Sequence, residues 1–249
     1  MKLNGLVKSI RESLRLSQAE FAEKIGVARL AVTRWENENT IPNRLAQRNI
    51  YEIVKAEQFD ILAYIADCLP KHETVNNKVV LYHGSKSGIA GDIKPISRDR
   101  CDFGKGFYMG TQIHQTMTLL YSFEKSVLYA LELDLSGLRV LRIATGIDWA
   151  MLVAYSRGKL EGCIGTAIYE KYKKMLEGYD VIVGDIANDR MFYVLDRFFM
   201  GDITDKGLVE SLSALKLGEQ YVALTEKACK QIKIIANENI SELEKCFFA

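Results

Sequence analysis

The hydrophobic period of this chain changes once, between Leu69 and Val79, and such a change calls for two architectures in series. Before it, apolar residues recur every three or four positions, as in Leu6, Val7, Ile10 and Leu14, or Ile50, Ile53, Val54 and Ile61. After it, short β-branched and aromatic runs (79–82, 105–109, 126–133, 139–142, 179–183, 219–224) alternate with helical stretches (111–123, 147–155, 163–176, 190–200, 205–215). Leu69-Pro70 stops a helix, and the polar string from Lys71 to Lys78 follows it. The fold class expected is therefore multidomain. An all-α domain covers 1–70, a linker 71–78, and an α+β domain 79–249.

Within the first segment, Leu16-Ser17-Gln18-Ala19-Glu20 forms a capping box, and Gly26 stands where a left-handed residue closes the helix it opens. A second helix is expected from Ala28 to Asn37, turned inward on Leu30 or Ala31, Val32 and Trp35. Residues 44–69 read as one further amphipathic helix. Two short helices joined by a tight glycine turn have the geometry of a helix-turn-helix. The string from Ser17-Gln18 through Phe21-Ala22, Gly26-Val27 and Arg34-Trp35-Glu36-Asn37 to Ile41-Pro42 resembles the phage-repressor-like (Xre/Cro) family. That resemblance implies DNA as a partner, with Gln18 and residues 28–34 facing it. Arg29 and Thr33 would approach bases, and Arg34, Asn43 and Arg44 would lie nearer phosphates. Charge agrees weakly: residues 1–57 hold ten Lys/Arg and seven Glu in a chain of net charge +1. The departure is apolar: Ala28, Leu30 and Ala31 occupy positions where polar readers are frequent, and a protein-binding or dimerising domain is the competing use.

Composition excludes several functions for the rest. No apolar run approaches the ~18 residues of a membrane span, and the N-terminus lacks a signal-peptide core, so a cytoplasmic protein is expected. Five scattered cysteines and three histidines, at 72, 83 and 114, offer neither a disulfide framework nor a ligand cluster. No metal is expected, and the cysteines read as buried apolar residues. There is no P-loop, no G-x-G-x-x-G opening a helix, and no G-x-S-x-G elbow.

What chemistry remains lies in four strings. They are Tyr82-His83-Gly84-Ser85, Phe103-Gly104-Lys105-Gly106-Phe107-Tyr108, Val181-Ile182-Val183-Gly184-Asp185-Ile186-Ala187-Asn188-Asp189, and Glu219-Gln220-Tyr221-Val222. A histidine and a tyrosine at strand ends beside glycines suit a cleft for a planar ring and a ribose. Together the strings resemble the DUF3990 group, related in turn to the ADP-ribosyltransferases of diphtheria-toxin and poly-ADP-ribose-polymerase type, over roughly residues 79–235. The resemblance implies a split, mixed β core with NAD⁺ as substrate lying across it. His83 would bond the nicotinamide-side ribose, the Gly84 backbone the carboxamide, and Tyr108 would stack on the ring. Ser85, Gly104, Lys105 and Gly106 would complete the cleft, and Arg98, Arg100 and Lys105 would face either pyrophosphate or solvent. A third group, normally Glu, belongs on a late strand. Alternation lets only one of Glu219 and Gln220 enter the cleft. The resemblance favours Gln220, leaving Asp189, or less readily Asp185, to supply a carboxylate from a loop.

Each residue also has a plain use: a satisfied strand-end histidine, a packed strand tyrosine, helix-capping aspartates. The leading expectation is an NAD⁺-dependent mono-ADP-ribosyltransferase of a toxin–antitoxin or phage-defence type, with an antitoxin or other protein as partner. Its helix-turn-helix would serve autoregulation or targeting, and a homodimer is compatible with that use. The alternatives are a DNA-binding regulator whose body binds NAD⁺ or a related nucleotide without turnover, and an interaction protein with a degenerate cleft.

Overall fold

The computed structural model describes residues 3–38, 40–118, 120, 125–187, 189–213 and 218–240. The N-terminal part is helical: α1 (Leu3–Ser13), α2 (Gln18–Lys24), α3 (Arg29–Asn37), α4 (Arg44–Ala56) and α5 (Ile61–Cys68). The capping box is formed as expected. Ser17 accepts from the Glu20 N–H, the Glu20 carboxylate accepts from the Ser17 N–H, and Gly26 follows α2 at φ 70°. Leu6, Val7, Ile10, Phe21, Ala22, Ile25, Val32 and Trp35 form the core of the first three helices; Leu30 faces outward. The long helix expected over 44–69 is instead two. Gln58 takes φ 53° and breaks the turn, and the Asp60 carboxylate caps α5 at the Ala63 N–H.

The stretch 71–78 is ordered. It holds β1 (Thr74–Val75), a two-residue turn in which Asn76 and Asn77 both have positive φ, and the start of β2 (Lys78–Ser85). Then follow β3 (Phe107–Gly110), α6 (Ile113–Thr118), β4 (Val127–Asp134), β5 (Val140–Arg142), α7 (Ile147–Ser156), α8 (Ala167–Lys174), β6 (Val181–Asp185), α9 (Asp189–Phe199), α10 (Asp205–Ser213), β7 (Glu219–Ala223), α11 (Glu226–Lys230) and β8 (Ile232–Asn239). β8, α11 and β1 add to the elements the hydrophobic pattern suggests. No described helix is long and apolar enough to cross a membrane.

The strands make one mixed sheet in the order β5-β6-β7-β3-β2-β4-β8, with β1 paired to β2. Every pair is antiparallel except β5 with β6. Strand alternation separates its two faces. One face carries Leu81, Phe107, Met109, Leu131, Val183 and Tyr221, packed against α11 and against Ile89 and Ile93 of the loop after β2. The other is covered in two places. Ile182 and Val222 lie under α7, α9 and α10, while Tyr82, Leu128 and Ala130 lie under α6 and the N-terminal helices. Ile61, Ile65 and Leu69 thus share a core with the sheet, and the Tyr82 hydroxyl donates to the Pro70 carbonyl at 2.8 Å.

Candidate functional site

The sheet opens between β2 and β3. These strands share the single pairing Tyr82↔Gly110. On the outer sides, β2 stays paired with β4 as far as Ser85↔Val127, and β3 with β7 from Phe107↔Ala223 to Gly110↔Gln220. His83 spans the start of the opening, its Nδ1 2.7 Å from the Tyr108 carbonyl oxygen. A carbonyl only accepts, so Nδ1 carries the hydrogen and the neutral ring keeps its lone pair on Nε2. Burial pushes the imidazole below the ordinary histidine value, against the opposing pull of that hydrogen bond. The ring stacks on Phe107 at 4.3 Å and has Tyr129 at 6.4 Å. What position 83 offers is therefore an acceptor suited to a hydroxyl.

Tyr108 leaves β3 on the opposite face, so the structure does not bring the two rings together; they flank the opening from either side. The Tyr108 hydroxyl donates to the Gly104 carbonyl at 2.7 Å and accepts from the Phe103 N–H at 3.0 Å, and burial pushes its pKa up. Its loop is latched again by Ser97, whose N–H donates to the Gly106 carbonyl and whose hydroxyl oxygen accepts from the Gly106 N–H. Gly106 must be glycine, since a Cβ there would lie 2.4 Å from a Val222 methyl. At Gly84 a Cβ would lie 2.9 Å from Leu120 and 3.0 Å from Thr116, so any larger residue would have to push these side chains aside. Ser85 is half-buried at the end of β2. Lys105 pairs with Asp99 at 3.0 Å and Arg100 with Glu161 at 2.9 Å, while Arg98 is exposed.

The third position resolves into two roles. Gln220 is buried on the Tyr108 face beside Val222. Glu219 is half-exposed on the other face, its carboxylate 3.9 Å from Arg142. The Gln220 amide nitrogen donates to Asp102 Oδ2 at 2.9 Å and to the Asp185 carbonyl at 3.1 Å. Asp102, buried in the loop before β3, also accepts from Arg157 Nε and Nη2 at 3.0 and 2.5 Å and from the Ala187 N–H at 3.0 Å. Arg157 in turn lies over the Phe192 ring at 4.4 Å. The sequence strings contain no sign of this hub. An aspartate before Phe103-Gly104 reads as an ordinary loop charge, and its partners come from positions 157, 187 and 220. The Asp185 side chain takes the Thr145 hydroxyl, and its carbonyl also accepts from Trp149 Nε1. Asp189 opens α9, and its side chain lies outside the described residues.

A cavity of about 600 Å³ is lined by Gly104 and Lys105 together with Arg100, Tyr155, Tyr169 and Lys173. His83, Tyr108 and Gln220 do not line it. Among the described residues no His/Cys/Asp/Glu group is placed to hold a metal ion. Cys229 is buried as expected of a cysteine here, but Cys68 and Cys163 are exposed.

In the helical domain, Arg29, Arg34, Asn43 and Arg44 are exposed, with Asn43 also capping α4 at the Ala46 N–H. Gln18 and Thr33 are drawn inward. Thr33 donates to Gln18 Oε1 at 2.9 Å, Gln18 Nε2 donates to Glu36 at 2.9 Å, and Arg11 completes the cluster on Glu36. Burial alone would raise the Glu36 carboxyl, but the bonds from Arg11 and Gln18 hold it below the usual range. These side chains lock α2 to α3. Leu30, Ile41 and Leu45 stand exposed on α3, the loop after it and α4.

A family model described as "Protein of unknown function (DUF3990)" matches residues 79–234, and a helix-turn-helix model matches residues 7–48. No curated protein and no solved structure matches the chain.

Proposed function

The chain belongs to the DUF3990 family and carries a helix-turn-helix DNA-binding domain ahead of it, and we propose that the DUF3990 part is an NAD⁺-dependent mono-ADP-ribosyltransferase. The observation that carries this reading is the adjacency of β2, β3 and β7. The motifs at 83, 108 and 220, far apart in the chain, sit on three neighbouring strands, and the sheet opens between the first two. A long ligand crossing such an opening meets side chains from both faces, which suits a dinucleotide.

In this reading His83 Nε2 accepts a ribose hydroxyl, the Gly84 backbone meets the carboxamide, and the Tyr108 ring, fixed by its hydroxyl, is the stacking surface. The bond between nicotinamide nitrogen and ribose C1′ breaks, and its electron pair leaves with neutral nicotinamide. The oxocarbenium at C1′ then bonds to an acceptor oxygen or nitrogen, which releases one proton. With no carboxylate at position 220, rate enhancement rests mainly on holding the ribose in place. The DNA reader then serves autoregulation within a toxin–antitoxin or phage-defence operon, with an antitoxin as protein partner.

A second reading, NAD⁺ sensing without turnover, draws support from the neutral Gln220 amide, whose hydrogens are already committed inside the fold. Incubating the full-length protein with NAD⁺ and a cell lysate, then analysing it by mass spectrometry, separates the two. Transfer predicts free nicotinamide and a labelled acceptor, both reduced about ten- to hundredfold by His83→Ala, the loss expected for one or two hydrogen bonds. Binding without product selects the sensor, and no binding at all rejects both.

A further inference from the structure

We infer that Asp102 is the positioning residue of this site, and that it makes Gln220 an acceptor-only group. The inference rests on the nucleotide-cleft reading above and assigns a role to a residue that no motif marks. An amide nitrogen has two hydrogens, and here they have two acceptors, Asp102 Oδ2 and the Asp185 carbonyl. Neither partner can donate in return while Asp102 is ionised. Turning the amide over would set its oxygen against a carboxylate and a carbonyl at about 3 Å, so the orientation is chemically determined. What Gln220 retains is one carbonyl oxygen.

Asp102 suits this task because its own charge is fully engaged. Two bonds from Arg157 reach Oδ1, and one each from Ala187 and Gln220 reach Oδ2. With Asn at 102, an NH₂ group must face either the guanidinium or the Ala187 and Gln220 donors. The cheapest relief is a flipped Gln220 presenting hydrogens instead of oxygen. His83 Nε2 is an acceptor for the same kind of reason, its other nitrogen being bound to a carbonyl. His83 and Gln220 leave the sheet on opposite faces, and each acceptor favours a hydroxyl over a phosphate or carboxylate at its own position.

The arrangement also explains why this position is not glutamate. A carboxylate at 220 would face Asp102 at hydrogen-bond distance, and the pair would share a proton. In Gln220→Glu, then, the introduced carboxyl should titrate well above the ordinary glutamate range. Protonated, it donates to Asp102 and mimics the native amide; ionised, it repels it.

The test uses the full-length chain at pH 5.5 to 8.5. NAD⁺ binding is followed by calorimetry for wild type, Asp102→Asn, Gln220→Glu and the double variant, and the new carboxyl by carbon NMR after ¹³C-glutamate labelling. Near-native affinity at low pH, falling about tenfold as pH rises through a raised pKa, is expected for Gln220→Glu. The double variant should lose that pH dependence, because an amide at 102 can donate to an ionised carboxylate. Asp102→Asn alone should bind about tenfold more weakly. An introduced carboxyl that titrates in the ordinary range, or Asp102→Asn with native affinity, overturns the role of Asp102 while leaving the cleft reading intact. Wild type that binds no NAD⁺ removes the cleft reading itself, whereas the NMR titration still reports whether Asp102 governs position 220.

Discussion

His83 carries its proton on Nδ1, where the Tyr108 carbonyl takes it, and burial disfavours a second one. A histidine whose folded pKa is depressed leaves stability intact above the unfolded value, and stability declines as pH falls below it. Thermal melts of the wild type should therefore drop between pH 7 and 5.5, before most carboxylates titrate. His83→Gln, which keeps a donor but does not ionise, should flatten that part of the profile; an unchanged slope would assign the effect elsewhere. His83, Tyr108 and the glycines around them were legible in the sequence because each motif is a local string. Asp102 was not, since the partners that make it special are 55, 85 and 118 positions away.

Between β3 and β7 the backbone approach is set by Gly106, whose missing side chain is filled by Val222 and the Ala223 carbonyl. Gly106→Ala should cost about 1–3 kcal/mol, the usual range for overpacking, measured as a lower denaturant midpoint at unchanged slope. Strands with two buried faces, such as β6 and the first half of β2, announce themselves as β-branched runs. β8 does not: it is an edge strand whose residues are mostly exposed, so Lys233, Asn237 and Asn239 dilute its pattern. The break between α4 and α5 was likewise hidden, because apolar spacing continues through it. The readable sign was Asp60, a capping residue set within an apparently continuous helix.

For the molecule as a whole, Arg29, Arg34 and Arg44 are exposed while Gln18 and Thr33 are tied into the Glu36 cluster, and we propose the three arginines as the principal DNA contacts. Full-length protein should bind duplex DNA with a steep salt dependence, and Arg34→Ala should weaken it uniformly across sequences and reduce the salt slope by about one. A slope unaffected by that change would place the contact surface elsewhere. The end of the helical stretch just before Pro70 was visible in the sequence, but what packs across it was not. An apolar strand face looks the same whichever element covers it, and nothing in Tyr82, Leu128 or Ala130 names the N-terminal helices as their cover. Because those helices complete the interior beneath β2 and β4, the two halves have no clean seam. Cleavage in the exposed hairpin at 71–78 followed by dissociation would strand raw hydrocarbon on both fragments. Evolution or engineering that transplants this sheet to a different DNA reader must carry a matching roof along with it.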